Sequence, residues 1–259
     1  MTKRVRLFLK GNSDLHDSLV VFKNDGKVEW NGIGEFLTAL PERVLCHATH
    51  ELFGRSDLLR CDVTGPPEDL QKFAPSIRPF LLERKTKLYE GPYDAFIFSI
   101  QADVTHTLLR HVHSGYLFAP GMEHCWPDAT REWMKEHCER VELLTVSESI
   151  GNFEEIVTEL RSRSNAPILV SNMNPHMLFE HVSCFQGVPI GLSERISAFN
   201  SELRGLSRRT GVSIIDVEKL FALQGVRSLS VAPMHYTARA YRIVAEEVFR
   251  VLEEYGLWD

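Results

Sequence analysis

The sequence lacks several features that mark whole classes of protein. Its five cysteines are odd in number and scattered, and no two of them form a C-x-x-C pair. That pattern argues against a disulfide framework and against a zinc knuckle. The chain also has no low-complexity run of the kind that indicates disorder, and no internal repeat. We therefore expect a packed globular protein with reduced cysteines.

Basic tracts and long apolar runs are also missing. The formal net charge is -6 at pH 7, and no basic tract with interleaved aromatic residues is present. We therefore do not expect nucleic acid as a partner. The first stretch, MTKRVRLFLKGNSD, carries basic residues but only a short apolar segment. This segment is too short for a secretory signal or a membrane span, so we expect a cytoplasmic protein without a transmembrane helix.

The chain does contain alternating strand and helix patterns over its 259 residues, of which 44% are hydrophobic and 25% charged. Runs rich in β-branched and aliphatic residues predict buried strands at 5–9, 43–48, 95–100, 141–146, 167–172 and 212–216. Helical spacing of apolar residues appears at 152–164, 192–211 and 237–256. This alternation predicts an α/β fold with a parallel sheet covered by helices on both faces. A single domain spanning 1–259 is the expectation.

Two segments interrupt this alternation. Residues 20–30 contain two strand-like arms around Asn24-Asp25-Gly26, which predicts a hairpin inserted after the first strand. Residues 106–138 form a long connection rich in aromatic residues, and we expect a cap-like insertion there. Its aromatic side chains either line an acyl or aryl pocket or form a satellite core. They are Tyr116, Phe118, Trp126 and Trp133.

Polar residues follow directly after the predicted strands. Because ligands bind at the carboxyl ends of parallel strands, we expect these residues to share one edge of the sheet. They are Ser13, Asp103, Asn172, Asn174 and Asp216. Ser13 lies in a strand-to-helix turn, where nearby N–H groups can stabilise an oxyanion, although Ser13 or Asp14 equally suits a helix N-cap. His235, just before the last helix, is the strongest candidate for a base.

These residues stand in a pattern that resembles the SGNH (GDSL) hydrolase superfamily. The segment GNSDLHDS is similar to the G-D-S nucleophile block of that family, and MHYTARAYRIVAEEVFRVL to its histidine block and last helix. VSIIDVEKLF fits the family's last strand. The resemblance implies a flavodoxin-like three-layer α/β/α sandwich.

The resemblance also implies roles for individual residues. Ser13 would be the acyl-accepting nucleophile and His235 the general base. The oxyanion hole would use the N–H of Ser13, the N–H of Gly54 and an amide side chain. The G-x-N-D motif has asparagine where this chain has Ala102, so Gln101 is the nearest amide. Asn172 or Asn174 could also replace the missing donor.

A second departure concerns the carboxylate that orients the histidine. The family carries aspartate three residues before the histidine, and Ala232 occupies that position. Asp216 is a possible partner for His235, although its position before VEKLF equally suits a helix N-cap. A main-chain carbonyl could accept the imidazole N–H instead, which would leave a Ser-His dyad.

We therefore expect a serine-type ester hydrolase or O-acyltransferase that acts on an acyl ester of a small molecule or carbohydrate, without a cofactor or metal. A non-catalytic binding or scaffold protein with this fold is one alternative. A metal-dependent enzyme is another, because histidines are concentrated between 106 and 138 and His47-x-x-His50 lies elsewhere. Asp103 and His106 form a D-x-x-H pair, which helix capping and a surface pair would explain.

Overall fold

The computed structural model describes residues 5–24, 28–33, 46–51, 54–59, 66–73, 88–89, 91–120, 123–176, 191–225, 229–232 and 235–258. The strands in chain order are β1 (Val5–Lys10), β2 (Val28–Ile33), β3 (Cys46–Glu51), β4 (Ala95–Ser99), β5 (Leu108–His111), β6 (Leu117–Phe118), β7 (Cys138–Val141), β8 (Ile168–Ser171), β9 (Ser213–Ile215), β10 (Ser230–Ala232) and β11 (His235–Tyr236). The helices are α1 (Ser13–Asn24), α2 (Ser56–Leu59), α3 (Glu68–Gln71), α4 (Gln101–Thr105), α5 (Asp128–His137), α6 (Val146–Arg163), α7 (Leu192–Thr210), α8 (Val217–Gln224) and α9 (Ala238–Glu254), with a short 3-10 turn at Glu123–Cys125.

The central sheet has six strands in the order β2-β3-β1-β4-β8-β9, and every pair within it is parallel. Apart from the edge strand β2, this is the flavodoxin-like order 2-1-3-4-5. The predicted α/β class and flavodoxin-like architecture are thus confirmed. The strand order reverses between β1 and β4, so their carboxyl ends flank the topological switch point, where such sheets bind ligands.

Two separate cores cover the two faces of this sheet. On one face, Leu7 and Leu9 of β1 pack with apolar residues of α1, α8 and α9. On the other, Phe8 and Phe98 pack with α6 and α7. Strand residues that alternate between two apolar faces must be hydrophobic on both sides, which is why residues 7–9 of β1 and 95–98 of β4 are continuous apolar runs.

The predicted hairpin over residues 20–30 is wrong. Residues 20–24 complete α1, and β2 that follows is a parallel edge strand paired with β3. The side chains of Leu15, Leu19 and Phe22 are buried in one core at helical spacing. This apolar stripe determines the conformation, whereas the Asn24-Asp25-Gly26 turn signal acts only locally. Asp25 and Gly26 of that signal lie outside the described residues.

The strand predicted at 141–146 is also wrong. β7 ends at Val141, and α6 begins at Val146 behind a capping box. The Thr145 hydroxyl accepts from Glu148 N at 3.2 Å, and Thr145 N donates to Glu148 Oε2 at 2.7 Å. The T-x-x-E spacing is a start signal for a helix, and it outweighs the apolar run VELLTV. Of the strand predicted at 43–48, residues 46–48 lie in β3 and residues 43–45 lie outside the described part of the chain.

The long connection after β4 contains a small antiparallel sheet in the order β6-β5-β7, together with α5. Tyr116, Phe118 and Trp126 are buried there in a core of their own with Leu70, and Trp133 packs against it. A cavity of about 310 Å³ lies between α5 and this sheet, lined by residues that include Leu109, Trp126, Met134 and Arg140. Most of the aromatic residues therefore stabilise the insertion itself.

A matched pair of leucines tests the packing of the second core. Leu203 of α7 is fully buried, whereas Leu223 of α8 is 73% exposed. We expect Leu203→Ala to lower the free energy of unfolding by about 3 kcal/mol, through lost burial and a residual cavity. Leu223→Ala should change it by less than about 0.5 kcal/mol. Urea unfolding of both variants measures the difference, and equal losses would contradict this assignment of the core.

Candidate active site

The site begins where β1 meets α1. β1 ends at Lys10, and Ser13 is the first residue of α1, so its backbone lies at the helix N-terminus, where N–H groups lack partners within the helix. The hydroxyl of Ser13 lies outside the described part of the chain. Gly11 permits this tight turn, because a Cβ there would approach Leu15 Cδ1 to 2.7 Å and Ser99 Cβ to 3.0 Å. The ends of β1 and β4 thus come into close contact.

A buried carboxyl group joins these two strand ends. Asp14 accepts a hydrogen bond from the hydroxyl of Ser99, at the end of β4, and accepts from Asn12 N at 3.3 Å. Gln101 N donates to the same Ser99 hydroxyl at 3.0 Å. Burial raises the pKa of Asp14 to about 6, although these hydrogen bonds oppose the rise.

Gln101 and His106 bring α4 to the same turn. The Oε1 atom of Gln101, which is buried, lies 3.4 Å from Asp14 N. The Thr105 hydroxyl donates to Gln101 O at 2.7 Å, so it accepts from His106 Nδ1 at 2.8 Å. His106 Nε2 is then the acceptor for the Asn12 side-chain amide at 3.3 Å. Burial and the nearby Arg55 lower the pKa of His106, which favours this neutral tautomer.

The expectation of a surface D-x-x-H pair is wrong for Asp103, whereas His106 is the C-cap of α4 and is partly exposed. Asp103 is fully buried and accepts from Ser56 N at 2.7 Å, from Ser56 Oγ at 2.5 Å and from the hydroxyl of Ser149. Burial raises the pKa of Asp103 to about 6. Helical spacing places residues 103 and 106 on one side of a helix, but the sequence does not tell whether that side faces solvent.

The Asp103 cluster positions the loop after β3, which contains Gly54. Arg55, only 1% exposed, forms a bidentate pair with Asp57 and donates to the main-chain oxygens of His106 and Glu142. Gly54 itself lies against Lys10, because a Cβ on Gly54 would be 2.3 Å from Lys10 Cγ. The predicted oxyanion glycine therefore lies beside the end of β1.

Asn172, Asn174 and Asp216 follow β8 and β9, on the far side of β4 from β1. Asn172 Nδ2 donates to Asp216 Oδ1 at 2.8 Å, and the same Oδ1 accepts from Lys219 N at 3.2 Å as the N-cap of α8. The Asn174 side chain closes a turn with the backbone of His176. These contacts match the capping interpretation of Asp216. The roles of the three residues in catalysis stay predictions.

His235, the predicted base, lies on β11. This strand pairs with β10, with His235 opposite Ala232, and packs against α1 and α9. His235 is exposed, whereas Tyr236 points the other way and is buried. The pKa of Tyr236 is raised far above its ordinary value, first by burial and then by Asp14, while a hydrogen bond from the Asn174 backbone opposes the rise. Tyr236 thus fills the space between α1 and the end of β8.

Asp17 is a further acidic group at this place, and the sequence analysis overlooked it. It lies one helical turn after Ser13 on α1, and its carboxylate is 2.8 Å from His16 Nδ1. The hydrogen bond from His16 lowers the pKa of Asp17 most; a hydrogen bond from Tyr241 and the charge of His235 lower it further, against the effect of partial burial. The signal in the sequence was its i, i+4 spacing from Ser13.

Within the described ranges, no group of three or more His, Cys, Asp or Glu side chains is arranged to hold a metal ion. His111, His113 and His137 of the insertion contact one another and Trp133 as aromatic rings. His47 and His50 lie in β3, whose side chains are outside the described part. In the same ranges, no helix is both long and apolar enough to cross a membrane.

Comparisons with known proteins give similarity in structure alone. No protein-family model matches the chain, and no curated protein does. Similar solved structures include an acetyl xylan esterase (11% identity, 96% of this chain and 100% of the other, TM-score 0.48). They also include a lipolytic G-D-S-L family protein from Veillonella parvula (9%, 96% and 98%, 0.43) and a putative SGNH hydrolase from Slackia heliotrinireducens (12%, 96% and 100%, 0.44).

These solved structures include members of the superfamily that the sequence resembles, and the similarity covers almost the whole chain. Identities of 9 to 12% and TM-scores of 0.43 to 0.48 are low.

The buried carboxyl group of Asp103 predicts a specific pH dependence of stability. Its pKa is about 6 in the folded chain against 3.8 in a model peptide, so the folded state binds the proton more tightly. The resulting stabilisation is present below pH 4 and is lost as the pH rises through 6, by about 3 kcal/mol. In Asp103→Asn this loss should be absent.

Urea unfolding of the wild type and of Asp103→Asn between pH 4 and pH 7.5 measures this effect. The difference in unfolding free energy between the two proteins should shift in favour of the variant as the pH rises. Asp14 is present in both proteins, so its own titration cancels. A difference that does not change with pH would contradict the buried position of Asp103.

Proposed function

We propose that this protein is a serine-type ester hydrolase in which Ser13 is the nucleophile and His235 the general base. One observation carries the proposal: the first turn of α1, where Ser13 lies, contacts Gln101, and α1 also packs against β11, the strand that carries His235. In this proposal, residues far apart in sequence converge at the switch point of a parallel sheet. That is the place where such sheets bind ligands.

The position of Ser13 suits a nucleophile for a physical reason. At the start of α1 the helix dipole and the N–H groups of the first turn favour negative charge, and an alkoxide or oxyanion develops there during acyl transfer. The buried contacts of Asp14 with Ser99 fix the turn in place. A fixed turn matters, because catalytic geometry must be held within a fraction of an ångström.

The reaction proceeds in two halves. Ser13 Oγ attacks the ester carbonyl carbon while His235 takes the hydroxyl proton; the tetrahedral intermediate then expels the alcohol, which receives that proton from His235. Water attacks the resulting acyl-serine, His235 takes a proton from the water, and the carbon–Oγ bond breaks. Ser13 regains its proton, and the carboxylic acid leaves.

Three groups supply hydrogen bonds to the oxyanion in this proposal: the N–H of Ser13, the N–H of Gly54 and the side-chain amide of Gln101. Gly54 lies beside the end of β1 and Gln101 contacts the first turn of α1, which supports both assignments. Asn172 and Asn174, by contrast, contact the first turn of α8 and the backbone of His176. We therefore favour Gln101 as the replacement for the asparagine that Ala102 displaces.

The exposure of His235 favours hydrolysis over transfer to another acceptor. Both reactions pass through the same acyl-serine, and exclusion of water decides between them. Because His235 is solvent-exposed, water reaches the base directly. The substrate in this proposal is an acyl ester of a small molecule or carbohydrate. A panel of acetyl, medium-chain and aryl esters, with an acetylated sugar among them, would narrow the class.

Covalent labelling tests the nucleophile without knowledge of the substrate. A fluorophosphonate should bond to Ser13 Oγ through phosphorus, with loss of fluoride, and mass mapping should locate the label on that residue. Ser13→Ala should abolish labelling, and His235→Ala should slow it about 10²-fold or more, because the base is lost. Ser162→Ala, a change at an exposed serine of α6, is the matched control and should leave labelling intact.

Labelling of Ser13→Ala at the wild-type rate would exclude Ser13 as the nucleophile. Absence of labelling in the wild type, together with no turnover of the ester panel, would favour the binding or scaffold alternative.

The proposed role of Gln101 has its own test. Gln101→Glu keeps the size of the side chain but removes both N–H donors, so the oxyanion loses one hydrogen bond. We expect kcat to fall about 10²- to 10³-fold with little change in KM, which is typical of a contact formed mainly in the transition state. Steady-state kinetics on the best ester of the panel measures this. A fall confined to KM would assign Gln101 to substrate binding instead.

A further inference from the structure

The missing aspartate at position 232 leaves open which group orients His235. Asp216, the candidate from sequence, has its Oδ1 atom occupied by the Asn172 amide and by Lys219 N as the cap of α8. Asp216 follows β9, and these contacts use its carboxylate to position the start of α8. The orienting group must therefore be sought on the elements that pack against β11.

Asp17 lies on such an element. α1 packs against β11, and Asp17 is one turn beyond Ser13 on the same side of α1. Its side chain is 35% exposed, so it is partly desolvated and its charge is less screened than that of a fully exposed group. The charge of His235 contributes to the lowered pKa of Asp17, after the hydrogen bond from His16. The packing of α1 against β11 thus brings Asp17 and His235 near each other.

A second link between them passes through Tyr241 of α9. Its hydroxyl donates to the Asp17 carboxylate, and its oxygen accepts from Tyr236 N at 3.3 Å. Tyr236 is the residue next to His235 on β11. One hydroxyl therefore connects α1, α9 and the backbone of the strand that carries the histidine, and consecutive hydrogen bonds of this kind strengthen one another.

We propose that Asp17 is the carboxylate that positions His235. The acidic residue that acts with Ser13 and His235 then comes from α1, the helix that begins at Ser13, and not from position 232. This inference rests on the proposed function and deepens it. Asp17 stabilises the imidazolium that forms when His235 accepts the serine proton, and its bond to Tyr241 fixes the backbone beside His235. Asp17 is a positioning residue, because it acts on the reacting atoms through His235.

Other charged groups near β11 do not supply this function. On α1, His16 is a partner of Asp17 and carries no negative charge. On α9, Arg239 contacts Gln224 at 3.4 Å and Arg242 lies over the Phe22 ring. β10 (Ser230–Ala232) contains no ionisable side chain. Asp14 is directed inward, to the Ser99 hydroxyl.

The first test uses the pH dependence of fluorophosphonate labelling at Ser13. In Asp17→Asn we expect the rate to fall about 10- to 100-fold, less than in a triad with a buried acid, because Asp17 is partly exposed to solvent. The acid limb of the pH profile should also move to lower pH, because the imidazolium loses its counter-charge. Asp17→Glu, which keeps the charge, should restore most of the rate and the position of the limb.

Asp128→Asn, a change at an exposed aspartate of α5, is the matched control and should alter neither quantity. A slower Asp17→Asn with an unmoved acid limb and no recovery in Asp17→Glu would mean a purely structural role and would overturn the inference. So would a shift of the limb in Asp216→Asn but not in Asp17→Asn. Circular dichroism establishes that each variant is folded.

The second test does not depend on catalysis. Carbon-13 NMR titration of the Asp17 carboxyl group measures its pKa in the wild type, in His235→Gln and in His113→Gln. In His235→Gln the positive charge of the imidazolium is lost, which should raise the pKa of Asp17 toward its ordinary value. His113→Gln, a change in the insertion, should leave the pKa of Asp17 unchanged. Equal titration curves in all three proteins would overturn the coupling.

The two tests separate two kinds of failure. If Ser13 is not labelled but the pKa of Asp17 responds to His235→Gln, the proposed function fails while the Asp17–His235 contact stands. If Ser13 is labelled and Asp17→Asn behaves like the wild type, the hydrolase proposal stands and the role of Asp17 is wrong.

Discussion

The contact between Asp14 and Ser99 is the interaction on which the candidate site depends. In a parallel sheet whose strand order reverses between two neighbours, the loops at their carboxyl ends turn to opposite faces, so a crevice opens between them. Asp14 follows β1 and Ser99 ends β4, and their hydrogen bond joins the two sides of that crevice. Gly11 lets the strands come this close. The bond therefore sets where the first turn of α1 lies relative to Gln101.

This arrangement carries an energetic cost. Two carboxyl groups, Asp14 and Asp103, are buried near the same crevice, and burial raises the pKa of each to about 6. Near neutral pH both must ionise inside the protein, which destabilises the folded state, while hydrogen bonds from Ser99, Ser56 and Ser149 offset part of the penalty. Buried acids of this kind are common where a site needs fixed loop geometry.

Most of the fold could be predicted from the sequence, because strands buried on both faces and helices with one apolar stripe leave strong patterns. The errors arose where two local signals competed. In residues 20–24 a helical stripe outweighed a turn signal, and at Thr145 a capping box outweighed an apolar run. The burial of Asp103 could not be predicted, because it depends on Ser56 and Ser149, each more than forty residues away in sequence.

The candidate site departs in a consistent way from the SGNH motifs that the sequence resembles. In our proposal the amide of the third block stands at Gln101 and not at Ala102. A rotation of about 100° on α4 separates these positions, and the extra methylene of glutamine lengthens the reach of the amide. In our proposal the acid likewise moves from position 232 to Asp17 on α1. Each functional group would then occupy the required position in space, although it comes from a different position in the sequence. A catalytic site is defined by the geometry of its groups, so such displacements can preserve chemistry while erasing the short motifs by which a family is recognised.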